Sequence, residues 1–132
     1  MKKRFNLALI ALIAMALIIA GCAKTKSPSD VVKEFFNDLK NNKIAEAQKF
    51  ISAKDLEEYK KAKLNVTDDL KQFAAQLKQV KYDRVQVTKT DIKGNNATVE
   101  FKVFFNDKDK KEQSDKFKLI KEKNQWKITV TS

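Results

Sequence analysis

The side chains that most often act as nucleophiles or bases near neutral pH are almost missing from this sequence. Its 132 residues include one cysteine, Cys22, and no histidine. This composition excludes Ser-His-Asp triads, Cys-His dyads, internal disulfides and Cys/His zinc sites. The acidic residues and the phenols of Tyr59 and Tyr82 remain as candidate catalytic groups.

Two acidic clusters are the nearest candidates for a metal site. Asp68-Asp69 fits the acidic opening turn of a helix, where the helix dipole favours negative charge. Asp107-Lys108-Asp109 lies in a charged turn that lacks the glycine and glutamate spacing of a calcium loop. We therefore predict no metal and no cofactor.

Cys22 ends a segment that has the parts of an export signal. Lys2, Lys3 and Arg4 precede an uncharged apolar run over 7–20. These 14 residues are short for a spanning helix, which needs about 20. Ile19-Ala20-Gly21-Cys22 resembles the lipobox of bacterial lipoproteins, which implies cleavage before Cys22 and its modification by diacylglycerol. The alternative is an uncleaved membrane anchor with an incidental cysteine.

The lipobox resemblance divides the chain into a signal peptide (1–21), a lipidated tether (22–27) and one domain (28–132). Two acyl chains hold a protein stably on a membrane, so we predict an extracytoplasmic, lipid-anchored location. The signal carries three of the 28 basic residues, which leaves 25 against 17 acidic ones. Only Arg84 of these is an arginine, and the lysines are scattered, so no nucleic acid is predicted as a partner. The charge then indicates a solvated surface or attraction to an anionic envelope surface.

The apolar period changes along the domain. Four helices are predicted within 28–78: Ser27, Ser52 and Thr67 cap the first, third and fourth, and the second runs from Ile44 to Ile51. From about residue 80 the period is two, which predicts a four-stranded antiparallel sheet over 80–131, with strands over 97–105 and 116–122 among the four. Helices first and strands afterwards indicate an α+β fold.

Several segments in this order resemble a known family. They are 29–36 (SDVVKEFF), 44–47 (IAEA), 96–99 (NATV) and 117–128 (FKLIKEKNQWKI). They resemble small bacterial lipoproteins of unknown function with a domain similar to lumazine-binding and nuclear-transport-factor-2-like, cystatin-like domains. The resemblance implies N-terminal helices packed on a curved four-stranded antiparallel sheet, which together form a cone. Some relatives of that fold are enzymes, and others only bind partners.

The inside of the cone is predicted to be apolar. Its inward strand positions are Val99, Phe101, Val103, Phe117, Trp126 and Ile128, with Val130 facing the same way as the last two. No carboxylate interrupts these positions, and the acidic residues expected to face solvent are Glu34, Asp38, Glu46, Glu57, Glu58, Glu100 and Asp115. The side chains that could line or fill an apolar pocket are Phe36, Phe73, Phe101 and Trp126.

Two functions remain open from the sequence. The first is a non-enzymatic envelope domain that binds a small apolar ligand, a lipid or a protein partner. The alternative is a small enzyme that uses Asp, Glu and Tyr in a cone-shaped pocket. A carboxylate deep in the cone beside Tyr59 or Tyr82 would favour the enzyme.

Overall fold

The computed structural model describes residues 25–109 and 112–130. Helices come first: α1 (Pro28–Lys40), α2 (Ile44–Gln48), α3 (Ala53–Lys61) and α4 (Val66–Gln79). Four strands follow: β1 (Tyr82–Lys93), β2 (Asn96–Phe105), β3 (Gln113–Glu122) and β4 (Gln125–Thr129). Cys22 and the predicted signal peptide lie outside the described residues. Among the described helices, none is both long and apolar enough to span a membrane.

The sheet is an antiparallel meander in the order β1-β2-β3-β4. The turns between β1 and β2 and between β3 and β4 are each two residues long, and such short turns force sequential neighbours to pair. Gly94, Lys123 and Asn124 have positive φ in these turns. The predicted α+β fold, with helices packed on a curved antiparallel sheet, is confirmed.

The core lies between α1 and the inner face of the sheet. The predicted stripe of α1 (Val32, Phe35, Phe36 and Leu39) is buried, as are Val99, Phe101 and Val103 of β2. Leu119 of β3 and Ile128 of β4 close the other end of this layer. Trp126 is buried with Ile128, whereas Val130, which follows the last residue of β4, is exposed and is not part of the core.

Two helix boundaries differ from the sequence prediction. Asn65, not Thr67, caps α4, and its side-chain oxygen accepts from the N–H groups of Thr67 and Asp68. The second helix ends at Gln48, and Ile51 instead forms a parallel bridge with Ile128. Ser52 N–H donates to Ile128 O, and Ile128 N–H donates to Phe50 O, so this segment covers the free edge of β4.

Candidate functional site

An aromatic cleft opens between α4, the C-terminal end of β2 and the N-terminal end of β3. We define it by five phenylalanines: Phe36, Phe73, Phe101, Phe105 and Phe117. The cleft has a volume of about 790 Å³, within the range of small-molecule sites. It lies where the end of β2 pairs with the start of β3, with Phe36 of α1 and Phe73 of α4 in its wall.

Four of the rings, those of Phe36, Phe73, Phe101 and Phe117, form one connected wall. Phe101 meets Phe117 edge to face with 4.9 Å between ring centroids, and Phe36 meets Phe101 at 5.3 Å. Phe36 also stacks on Phe117 at 5.8 Å and meets Phe73 at 6.2 Å. Phe36 and Phe101 are buried, whereas Phe73, Phe105 and Phe117 are half-buried. The half-buried rings therefore present apolar surface to the cleft.

The rim of the aromatic cleft is polar. Exposed side chains of Gln76 and of residues 112–115 surround the apolar wall. Asp115 lies directly opposite Phe101 in the β2–β3 register and so points to the inner side of the sheet. The expectation that no carboxylate occupies an inward strand position is therefore wrong. The side chain is nevertheless exposed, as predicted, because it lies at the open mouth of the cleft.

The position of Asp115 was readable from the sequence. It shares the parity of Phe117 and Leu119, which both point inward. The strand was expected to begin at residue 116, whereas β3 begins at Gln113. This earlier start brings Gln113 and Asp115 into the sheet, with Val103 and Phe101 opposite them.

Trp126 does not join the other three predicted pocket residues. It lines a separate polar groove, which we define by Trp126, Phe50, three carboxylates and five lysines. The carboxylates are those of Glu34, Asp38 and Glu46, and the lysines are Lys26, Lys43, Lys49, Lys71 and Lys127. The groove has a volume of about 1210 Å³.

Charges of both signs face each other in the polar groove. Lys26 pairs with Glu34, and Lys49 pairs with Glu46 at 3.3 Å. Burial raises the pKa of the Asp38 carboxyl, and the charges of Glu34 and Glu46 raise it further against the opposing effect of Lys43. We favour the smaller aromatic cleft as the ligand site, because these paired charges are well solvated and need no ligand, whereas half-exposed rings are poorly solvated.

The two tyrosines lie in different surroundings. Tyr82 is buried and stacks on Phe36 with 5.7 Å between centroids. Burial, with a contribution from Asp83, raises the pKa of its phenol to about 12. The pKa of Tyr59 is raised by burial and by a hydrogen bond to Asp69, which is exposed on α4. Both phenols are therefore held in the protonated form, so neither is placed to act as a phenolate base near neutral pH.

One acidic side chain is fully buried, and the sequence did not indicate it. Asp55 of α3 is 0% exposed. Its carboxylate accepts from the backbone N–H of Val130 at 2.6 Å and from the hydroxyl of Thr129 at 3.4 Å. Its own N–H donates to the predicted cap, Ser52. The capping pattern was visible in the sequence, but the contact with residues 129–130 depends on tertiary structure. Asp55 thus joins α3 to the end of β4.

The predicted metal candidates are surface residues. Asp68 and Asp69 lie in the first turn of α4, where the helix dipole stabilises negative charge. The side chain of Asp107 accepts a hydrogen bond from the N–H of Asp109. Within residues 25–109 and 112–130, acidic side chains do not gather in groups of three or more that could hold a metal ion.

The profile of a family described as a domain of unknown function (DUF4878) matches residues 20–129. The chain belongs to the DUF4878 family. Curated proteins give no match to this DUF4878 chain. Solved structures do match it. One is a protein of Campylobacter jejuni provisionally named an NTF2-like transpeptidase, with 22% identity and a TM-score of 0.65 over 80% of this chain and 100% of that one.

A second solved structure is a SEC-C motif-containing protein of Rhodopseudomonas palustris. It is 18% identical, with a TM-score of 0.57 over 83% of this chain and 82% of that one. At these identities the likeness concerns the fold, which is NTF2-like in this DUF4878 protein. The activity in the name of the first protein and the motif in the name of the second belong to those proteins.

Proposed function

We propose that this protein is a lipid-anchored lipoprotein of the bacterial cell envelope, and that its domain is a non-enzymatic module that binds a small apolar ligand. The observation that carries the binding role is the aromatic cleft. Three half-buried rings, those of Phe73, Phe105 and Phe117, lie on a buried base of Phe36 and Phe101. Covering such rings with an apolar ligand removes apolar surface from water, worth about 25 cal/mol per Å².

The anchoring role is supported by the lipobox pattern that ends at Cys22. It is tested separately, by the intact mass of protein extracted with detergent from the native membrane. A mature chain that starts at Cys22 and carries two or three acyl groups is expected. A Cys22→Ser variant should not be processed by the lipoprotein route. An unmodified wild-type mass contradicts the anchor and leaves the cleft proposal standing.

Ligand binding is tested with Nile red, a neutral apolar dye, after native mass spectrometry has identified and removed any co-purified molecule. Phe73→Ala and Phe117→Ala should each weaken dye binding about tenfold, because each removes part of the apolar wall. Phe104→Ala is the matched control. Phe104 is also half-buried on β2, but it lies under Arg84 on the other side of the sheet, 4.0 Å from that guanidinium.

The result with the control decides this proposal. If Phe104→Ala weakens dye binding as much as Phe117→Ala, the effect comes from loss of stability and the aromatic cleft is not the site. If the wild-type protein shows no saturable dye binding and carries no co-purified apolar molecule, the proposed binding role is wrong.

The enzyme remains the alternative, and Asp115 is the observation that favours it. Its carboxylate lies at the mouth of an apolar cleft, where an acidic base could meet a substrate. The distinguishing measurement is turnover of whatever molecule co-purifies. Asp115→Asn and Tyr82→Phe should leave binding unchanged if the domain only binds. Loss of turnover with retained binding in Asp115→Asn would establish the enzyme.

A further inference from the structure

The face of the sheet turned away from the helices can be mapped from the strand register. Ala97, Val99, Phe101 and Val103 of β2 point inward, so the alternate β2 residues point outward. Residues directly opposite each other in an antiparallel sheet point to the same side. We call the surface formed by the outward β2 residues and their partners in β1, β3 and β4 the outer sheet face.

The outer sheet face carries an excess of positive charge. Its basic residues are Arg84, Lys89, Lys93, Lys102, Lys116, Lys118 and Lys127, and its acidic residues are Asp91, Glu100 and Glu122. Three of the basic residues form ion pairs: Arg84 with Asp83 at 3.7 Å, Lys93 with Asp91 at 3.9 Å, and Lys102 with Glu112 at 3.2 Å. Lys89, Lys116 and Lys118 are exposed and lie across the middle of the face, with Glu100 between the first two.

The chain enters the domain beside one edge of this face. The Lys26 ammonium lies 5.6 Å from the centre of the Phe50 ring. Phe50 is hydrogen-bonded to Ile128 of β4, and the Lys127 ammonium donates to the carbonyl of Lys49. The start of the described chain and the β4 edge of the outer sheet face are therefore neighbours.

Little chain separates this entry point from the proposed anchor. Three residues lie between Thr25 and Cys22 along the sequence, counting Thr25 itself, so the separation is at most about 10 Å. A domain held that close to a bilayer must turn some part of its surface to the headgroups. The β4 edge of the outer sheet face is bonded to the segment that Lys26 contacts, and the net charge of the face is opposite to that of anionic lipids.

We propose that the outer sheet face docks on an anionic phospholipid bilayer, with Lys89, Lys116 and Lys118 at the headgroups. The orientation argument rests on the proposed lipid anchor, whereas the charge argument does not. With this face on the membrane, the aromatic cleft on the inner side of the sheet is left open for its ligand.

The test measures vesicle binding by a soluble form comprising residues 23–132, which carries neither the signal nor the anchor. This part is expected to fold alone, because all the buried core residues described lie between Val31 and Ile128 and a complete solved chain adopts the same fold. The soluble form should bind phosphatidylcholine vesicles that contain about one third phosphatidylglycerol. It should not bind pure phosphatidylcholine, and added salt should weaken the binding.

Neutralising the middle of the face should weaken binding strongly. The triple variant K89Q/K116Q/K118Q is expected to lose about 10- to 100-fold in vesicle affinity, since each lysine near an anionic surface contributes to the attraction. The matched control, K33Q/K61Q/K78Q, removes the same charge from exposed positions of α1, α3 and α4 and should change affinity much less. Lysine-to-arginine changes at the three sheet positions should retain binding.

Three results would overturn the docking proposal. They are equal losses in the two triple variants, equal binding to neutral and anionic vesicles, and a stable dimer in light scattering that the sheet-face triple variant dissociates. The last result would make the face an interface between two copies of the chain. Acyl mass on Cys22 and Nile red binding are measured independently, so failure of this proposal and failure of the proposed function can be told apart.

Discussion

Asp55 is the residue whose removal should reveal how α3 is held to the sheet. Asp55→Ala leaves the Val130 N–H without the carboxylate that it contacts at 2.6 Å. Losing this part-buried hydrogen bond to a carboxylate costs about 1–3 kcal/mol, so we expect the free energy of unfolding to fall by that amount. Urea unfolding followed by circular dichroism measures it. Glu57→Ala, an exposed change on the same helix, is the control, and an equal loss there would contradict the proposed clamp.

Asp38 should destabilise the folded protein at neutral pH, and the sign follows from its raised pKa. The folded carboxyl binds its proton more tightly than the unfolded one, because of burial and the charges of Glu34 and Glu46. The contribution of Asp38 to the free energy of unfolding is therefore fully present below the pKa of the unfolded carboxyl, and it is lost as pH rises through the pKa of the folded one.

Asp38→Asn should accordingly raise the melting temperature slightly at pH 7, by an amount equivalent to no more than about 0.5 kcal/mol because the site is only half-buried. The difference from wild type should disappear at a pH below about 4, where the unfolded carboxyl is also protonated. Melting curves of both proteins across this range test the prediction. A difference that grows as pH falls would show that the sign is wrong.

At the scale of elements, a substitution at the start of α4 can show which of two residues, Asn65 or Thr67, is the helix cap. Asn65→Ala removes the side-chain oxygen that accepts from Thr67 and Asp68, which should cost about 1 kcal/mol. Asn65→Asp retains an acceptor and should cost much less. Thermal unfolding distinguishes the variants, and equal losses for Ala and Asp would mean that Asn65 is not the cap.

The elements that the sequence predicted well are those governed by local periodicity. The stripe of α1 and the alternation of β2 each specify one buried face, and short turns specify sequential pairing of the strands. Helix boundaries were harder to predict because Asn65 and Thr67 are both residue types that cap helices, and only the structure shows that Asn65 is the cap. The start of β3 was misplaced because its first three residues, Gln113, Ser114 and Asp115, are polar on both sides of the strand.

The candidate site was predictable only in part, because local periodicity does not specify which elements meet. Phe36, Phe73 and Phe101 come together in one cleft because an α1 residue and an α4 residue meet β2 at its open end. Trp126 shares their hydrophobicity, but it lies on β4 at the far side of the sheet, beside the polar groove. Periodicity fixes which side of an element a residue occupies. Its position among the other elements depends on the tertiary packing.

At the scale of the whole molecule, the same aromatic wall serves both the core and the aromatic cleft, and two substitutions should separate these roles. Phe101 is buried at the base of the cleft, whereas Phe117 is half-buried at its surface. Phe101→Ala should lower the free energy of unfolding by about 3–5 kcal/mol, because a fully buried ring is lost and a cavity remains. Phe117→Ala should cost about half as much, since part of its ring already contacts solvent.

Urea unfolding at equilibrium measures both changes, and the apolar dye titration measures the second role. We expect Phe101→Ala to lower the urea midpoint by about 2 M, given a denaturant dependence of about 1–3 kcal/mol/M. Phe117→Ala should instead reduce dye affinity in conditions where it is still fully folded. If the midpoint ranking is reversed, Phe117 is the main core residue. That result would mean that the cleft is closed over Phe117 in solution, because the larger loss of stability requires a ring that water does not reach.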